Sequence, residues 1–299
     1  MSRSRGSKRV WVKRYKRWLG YTFFSLIMTI IFLNLSFPSD EVADSLERSF
    51  AETIPGVALS IGSIQPFIPL GLKLKDSRFI SKNKPSIVLF KSEYIWISPR
   101  YICRFSTKLK SYFKIYSYDG EISGTFQLRP LVLDIEIHDF KLDEDSLLQY
   151  LLGFRVNGIL SAKICYNGDI TNLLEGRGSA VLELSNGEIQ LSRPVLTLER
   201  IPFKTINAEI GIKGGKVSIT RFNLKGRQLM GMLEGIINLK KRFVESTLDI
   251  KGRIEPFPAF FIESSGAENR LKLFKEMISM HGHVSFTVSG SIKNPKVGM

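Results

Sequence analysis

The chain has 299 residues and a formal charge of +15, but eight of the positive charges precede Trp18. The remaining +7 is spread without a basic cluster or an aromatic-basic module, which argues against nucleic acid as a partner. Two cysteines, Cys103 and Cys165, are too few for a disulfide framework and read as small buried hydrophobes, with a single bridge left open.

Arg3, Arg5, Lys8, Arg9, Lys13, Arg14, Lys16 and Arg17 form a basic block, and an uncharged, mostly apolar run follows from Trp18 to Ser39. At about 1.5 Å per residue, a helix over 18–37 reaches roughly 30 Å, the thickness of a bilayer's hydrocarbon core. The positive flank predicts a cytoplasmic N-terminus, with Arg14, Lys16 and Arg17 beside the headgroups and Trp18 and Tyr21 in the aromatic belt. A cleaved signal peptide is the alternative. The apolar run exceeds an ordinary h-region and no small-x-small cleavage site follows it, which favours a retained anchor. The expected organisation is a basic tail at 1–17, a transmembrane helix at 18–37, a membrane-proximal helix or linker at 38–56, and an antiparallel β domain at 57–299.

Pro38-Ser39-Asp40 opens a short helix in which Ser39 or Asp40 is placed to cap the first turn. Val42, Leu46 and Phe50 give it an apolar face, suited either to docking on the following domain or to lying on the membrane.

From Val57 onward the dominant period is two. Val57, Leu59 and Ile61 begin it, and Ile122, Phe126 and Leu128 continue it. Leu131, Leu133, Ile135 and Ile137 take the opposite parity, so Arg129-Pro130 marks a strand break or bulge. Asn167-Gly168, Asn186-Gly187 and Gly214-Gly215 have the composition of two-residue hairpin turns. A turn at Asn186-Gly187 would set Leu184 opposite Ile189 and Leu182 opposite Leu191. A turn at Gly214-Gly215 would set Ile212 opposite Val217 and Ile210 opposite Ile219. Further strands are expected at 229–239, 244–254 and 284–292, with Val284, Phe286, Val288 and Ile292 on one face of the last. Helices are expected at 143–152 and 267–280, and Pro256-Phe257-Pro258 marks the exit from the sheet before the second.

Catalytic signatures are missing from this pattern. No nucleophile elbow, P-loop or His-Glu-x-x-His motif occurs, so no catalytic residue and no cofactor are assigned. His281-Gly282-His283 could chelate a metal from one strand face, but no third ligand is apparent and a solvated strand end is favoured. The acidic run Asp139, Asp143, Glu144 and Asp145 lacks the glycine and terminal glutamate of an EF-hand and reads as a capped helix start.

The N-terminal span, Pro69-Leu70-Gly71-Leu72-Lys73-Leu74, the repeating strand-glycine-strand texture and the closing Val288-Ser289-Gly290-Ser291-Ile292-Lys293-Asn294-Pro295 together resemble the type II secretion system protein N family, within the AsmA-like group of envelope proteins. The resemblance covers almost the whole chain. It implies a bacterial inner-membrane protein whose periplasmic part is an elongated, curled antiparallel sheet with a few short helices, associated with protein export. AsmA-like relatives are also linked to lipid movement along a hydrophobic groove. The function expected is therefore a non-enzymatic assembly or scaffold component that contacts secretion-system envelope proteins. The alternative is a groove for phospholipid or another acyl lipid that maintains the outer membrane, lined by Leu182, Leu184, Ile189, Leu191, Val284, Phe286 and Val288. A closed sheet core would use the same residues. An envelope hydrolase ranks third, because it needs a convergent polar site that the sequence does not reveal.

Overall fold

The computed structural model describes residues 6–298 apart from 54–55, 68–70, 83, 101–109, 143–154, 170–171, 196–197, 241, 243–244, 259 and 261–281. For 6–17, 33–34, 53, 84–87, 100, 173, 191–195 and 198 only the backbone path is described. The helices expected at 143–152 and 267–280 lie outside the described residues, as do Cys103 and His281.

Helix α1 (Gly6–Leu35) carries the apolar run, and its side chains from Trp18 to Phe32 are nearly all exposed. The stretch whose side chains are described is about 22 Å long at 1.5 Å per residue. Among the described residues no helix is long and apolar enough to cross a membrane, so the span expected at 18–37 is not supported at that length. Leu33 and Asn34, which extend the run in sequence, lie outside the described side chains, as do Arg14, Lys16 and Arg17.

Pro38 precedes α2 (Ser39–Thr53), where Asp40 and Glu41 place negative charge in the first turn, favourable to the helix dipole. Val42, Ala43 and Leu46 pack on a buried cluster of Ile64, Leu74 and Ile95, and Phe50 meets Phe79 edge-on at 5.4 Å. The Ile61 amide donates to the Glu47 carboxylate at 2.6 Å, and Lys82 Nζ donates to the Ala51 carbonyl at 2.7 Å. Of the two placements open to this helix, the structure has it docked on the sheet.

All fifteen strands form one antiparallel sheet. Strands β1 (Val57–Ser60) and β2 (Ser63–Phe67) both pair with β3 (Gly71–Ser81), the first with its C-terminal half and the second with its N-terminal half. Each later strand pairs with the one before it: β4 (Lys84–Arg100), β5 (Lys110–Ser117), β6 (Gly120–Leu128), β7 (Leu131–Leu142), β8 (Arg155–Gly168), β9 (Arg177–Val195) and β10 (Leu198–Lys213). The same holds for β11 (Lys216–Gly226), β12 (Leu229–Asn238), β13 (Thr247–Pro256), β14 (Val284–Ser291) and β15 (Asn294–Gly298). Among the described residues β15 pairs with β14 alone, so the sheet is open, and it is weakly curved where a curled one was expected. At about 4.8 Å per strand it extends roughly 60 Å.

Gly214-Gly215 forms the expected two-residue turn, with φ values of 56° and 74°, and sets Ile212 opposite Val217 and Ile210 opposite Ile219. Arg129-Pro130 is also a two-residue turn, closing Leu128 on Leu131 through a cis peptide. The hairpin expected at Asn186-Gly187 is not there. Strand β9 runs straight through both residues, and Leu184 pairs with Leu160 on one side and Ile206 on the other. Asn186 (φ 49°) and Gly187 together face Gly158, which makes them a β-bulge. Asn167-Gly168 likewise ends β8 without a tight turn, because a longer connection containing a 3-10 turn at Leu173–Glu175 precedes β9.

A Cβ on Gly187 would meet the Asn157 carbonyl oxygen and the Phe203 ring, whereas one on Gly214 would meet open space. Gly187→Ala is therefore expected to cost about 2–3 kcal/mol, and Gly214→Ala about 1 kcal/mol from its positive φ alone. Urea midpoints of the two full-length variants check this; equal shifts would show that Gly187 is not closely packed.

Candidate functional site

The register places a continuous apolar surface on one face of the sheet. Ile64, Leu74, Ile95, Ile115, Ile122 and Ile137 are successive cross-strand partners from β2 to β7. The row continues through Ala162, Leu182, Ala208, Phe222, Leu233, Gly252 and Phe286 to β14. No polar side chain interrupts it.

Two parallel rows flank it. Phe140, Leu160, Leu184, Ile206, Leu224, Gly231, Ile254 and Val284 run from β7 to β14 on one side. On the other, Ile135, Ile164, Ala180, Ile210, Ile219, Gly235, Ile250, Val288 and Val297 run from β7 to β15. Three rows at roughly 7 Å spacing give a surface well above the few hundred Å² usual for an exposed apolar patch.

Cover is uneven along this face. Its first strands lie under α2, and one margin is closed by Phe260, which is fully buried against a cluster that includes Leu184, Ile206, Leu224, Leu229 and Val284. Through the middle, Ile115, Ile122, Ile137, Leu182, Phe222, Leu233 and Phe286 are only half-buried. Among the described residues no second sheet lies over them. Val297, at the β15 edge of the third row, is 63 % exposed.

Six of the seven groove residues expected from sequence fall on this face. Leu182 and Phe286 belong to the central row, Leu184 and Val284 to the second and Val288 to the third, while Ile189 sits between Val156 and Ile201. The side chain of Leu191 lies outside the described residues. These residues come from β9 and β14, five strands apart, so they mark two ends of one stretch and not a single pocket. Sequence reasoning expected strands between them but did not assign their residues to the groove, and it left out the start of the central row at Ile64, Leu74 and Ile95. The period-two signal is present at each, but only the pairing register shows that the rows are continuous.

The opposite face is polar and is crossed by ion pairs: Lys114 with Glu121 at 2.8 Å, Glu136 with Lys163 at 2.8 Å, and Glu209 with Arg221 at 2.9 Å. Hydrogen bonding to Lys163 holds the Glu136 carboxyl below its ordinary range, and hydrogen bonding to Glu121 raises the Lys114 ammonium. These pairs are largely solvated and contribute little to stability each. Among the described residues, no group of three or more His, Cys, Asp or Glu side chains is placed to hold a metal ion. Cys165, on the polar face, carries a free thiol that donates to Asp134 Oδ1 at 3.6 Å. A recess of about 660 Å³ lies between β11 and β14 and includes Phe222, Leu233 and Phe286 among its walls.

Comparison of the chain with protein-family models, curated proteins and solved structures returns no match.

Burial, and then the neighbouring Asp134 carboxylate, push the Cys165 thiol up from its ordinary pKa, which disfavours the thiolate. Alkylation of Cys165 at about pH 8 is expected to be slower than that of a free thiol and to keep rising above about pH 9. Rates followed by mass spectrometry check this, and a rate at or above the free-thiol value would contradict it.

Proposed function

We propose that this protein is a non-enzymatic, membrane-anchored carrier that holds the acyl chains of phospholipid or another lipid along the apolar face of its sheet. The observation that carries this reading is the central apolar row, which passes from β2 to β14 without a polar side chain and is half-buried through its middle. The backbone N–H and C=O groups of paired strands are taken up by the ladder, so the face offers no hydrogen-bond partner to an occupant. An extended peptide would leave its own backbone unpaired there. Hydrocarbon would not.

The anchor reading places α1 in a bacterial inner membrane with its N-terminus cytoplasmic and the sheet in the periplasm. Exposed apolar side chains along α1 and the basic block before Trp18 favour it. Trp18 and Tyr21 are 71 % and 73 % exposed, as residues at a membrane interface would be. The hydroxyls of Thr22 and Thr29 donate to the Trp18 and Ser25 carbonyls at 2.9 Å each, so neither needs water. The elongated single-layer sheet suits the AsmA-like resemblance, in which such a carrier serves the outer membrane.

A second reading, an assembly or scaffold component of a type II secretion system, is favoured by the open edge at β15, every residue of which is exposed. Such an edge can accept a strand from an envelope protein of that system. Nucleic acid is a poor fit to either reading, because the positive charge beyond the N-terminal block is spread without a basic cluster and Lys114, Lys163 and Arg221 on the polar face are paired with carboxylates.

Photo-crosslinking in living cells tests the carrier reading, with a photoreactive residue in turn at Leu182, Ile189 and Phe286 and a control at Val181, which is 56 % exposed on the polar face. Lipid adducts are expected at the first three positions and not at Val181. Adducts confined to protein would end the carrier reading and leave the assembly one in place.

A further inference from the structure

The polar face changes character at β2–β5. Lys73 Nζ lies 4.2 Å from the centroid of the Tyr94 ring and 5.4 Å from that of Trp96, and Lys114 Nζ lies 4.9 Å from that of Tyr116. Trp96 meets Tyr116 edge-on at 5.8 Å and stacks with Phe67 at 6.1 Å. Phe67 and Tyr94 are nevertheless 51 % and 38 % exposed. The Trp96 indole Nε1 is enclosed and donates to no acceptor among the described residues. On this face Lys114, Lys163 and Arg221 are each matched by a carboxylate. Lys73 has no carboxylate within ion-pair distance among the described residues and rests on rings instead.

The patch also has a fixed relation to α1. Phe37, two residues beyond the end of that helix, packs against the cluster of Ile64, Leu74 and Ile95. Those residues belong to β2, β3 and β4, the strands that carry Phe67, Lys73 and Trp96 on the other side. The chain therefore leaves α1 within the thickness of the sheet from the aromatic patch.

We propose that the outer face of β2–β5 docks on the anionic headgroup layer of the membrane that holds α1, with Lys73 directed at lipid phosphate and Phe67, Tyr94 and Trp96 at the interface. This rests on the anchor reading of α1. Amphipathic rings and lysines with long apolar stems partition to the region where one end is wet and the other is not. Phosphate oxygens supply the negative charge that Lys73 lacks. Stacking of a sugar on Trp96 is disfavoured, because Phe67 already stacks on that ring with an interplanar angle of 11° and Lys73 sits over it.

The test uses the full chain reconstituted in vesicles of phosphatidylcholine and phosphatidylglycerol, with bromine either near the headgroup end or at the terminus of the acyl chains. In Trp96→Phe the emission comes from Trp11 and Trp18, so its quenching reports insertion of α1. The difference between the wild type and this variant isolates Trp96. The expected result is quenching of the Trp96 emission by the headgroup-end bromines in excess of the chain-end bromines. Lys73→Gln, which keeps all three tryptophans, is expected to reduce it. Quenching of Trp11 and Trp18 with none of Trp96 would overturn the docking and leave the anchor standing. No quenching of any tryptophan would overturn both.

Discussion

Antiparallel hydrogen bonding between successive strands commits the backbone polar groups to the ladder and leaves side chains to alternate between two faces. Once apolar residues occupy alternate positions on every strand, one face of the sheet is apolar from end to end. A second layer would convert that face into an ordinary core, as in a β-sandwich. Here the described structure has one layer, with α2 over the first strands and Phe260 at one margin. The proposed function descends from this imbalance, among the described residues, between a long apolar face and a short cover.

Keeping one parity over strands as long as β9 is not automatic, because a twisted sheet needs local extra residues where strands bend. The bulge at Asn186-Gly187 lets Leu182 and Leu184 before it, and Ile189 after it, face the same way. In β7 the bulge around Asp139 (φ 49°) does the same for Ile137 and Phe140. Each bulge thus transfers a run of side chains to the opposite parity in sequence and keeps it on the same side in space. Without them, half of each strand would turn its apolar residues toward the ion pairs of the polar face.

The membrane-proximal end is the part of the sheet with a firm local core. Ile64, Leu74 and Ile95 are closed over by α2 and by Phe37, so the direction in which the chain leaves α1 is tied to the first strands by packing and not by a free linker. That coupling gives meaning to the aromatic and cationic patch on the other side of the same strands. It also sets the polarity of the sheet, with β2–β5 nearest α1 and the exposed β15 edge farthest along the strand order.

The sequence by itself determined the class of fold, because a period of two is a local property carried by side-chain alternation. It also located α2 by its apolar spacing and the Gly214-Gly215 turn by composition, where two glycines at positive φ admit few other structures. Asn186-Gly187 shows where local reasoning stops. A parity reversal flanking a dipeptide that tolerates positive φ is the signature of a hairpin and of a bulge alike, and only the neighbouring strands β8 and β10 decide between them. The candidate site was legible in fragments, as Leu182, Leu184, Ile189, Val284, Phe286 and Val288, because each lies in a strand with clear alternation. Its continuity was not, since a row of cross-strand partners joins residues from Ile64 to Phe286 that share no sequence neighbourhood. Register is a property of pairs of strands, and so the tertiary structure alone decided that these side chains form one surface.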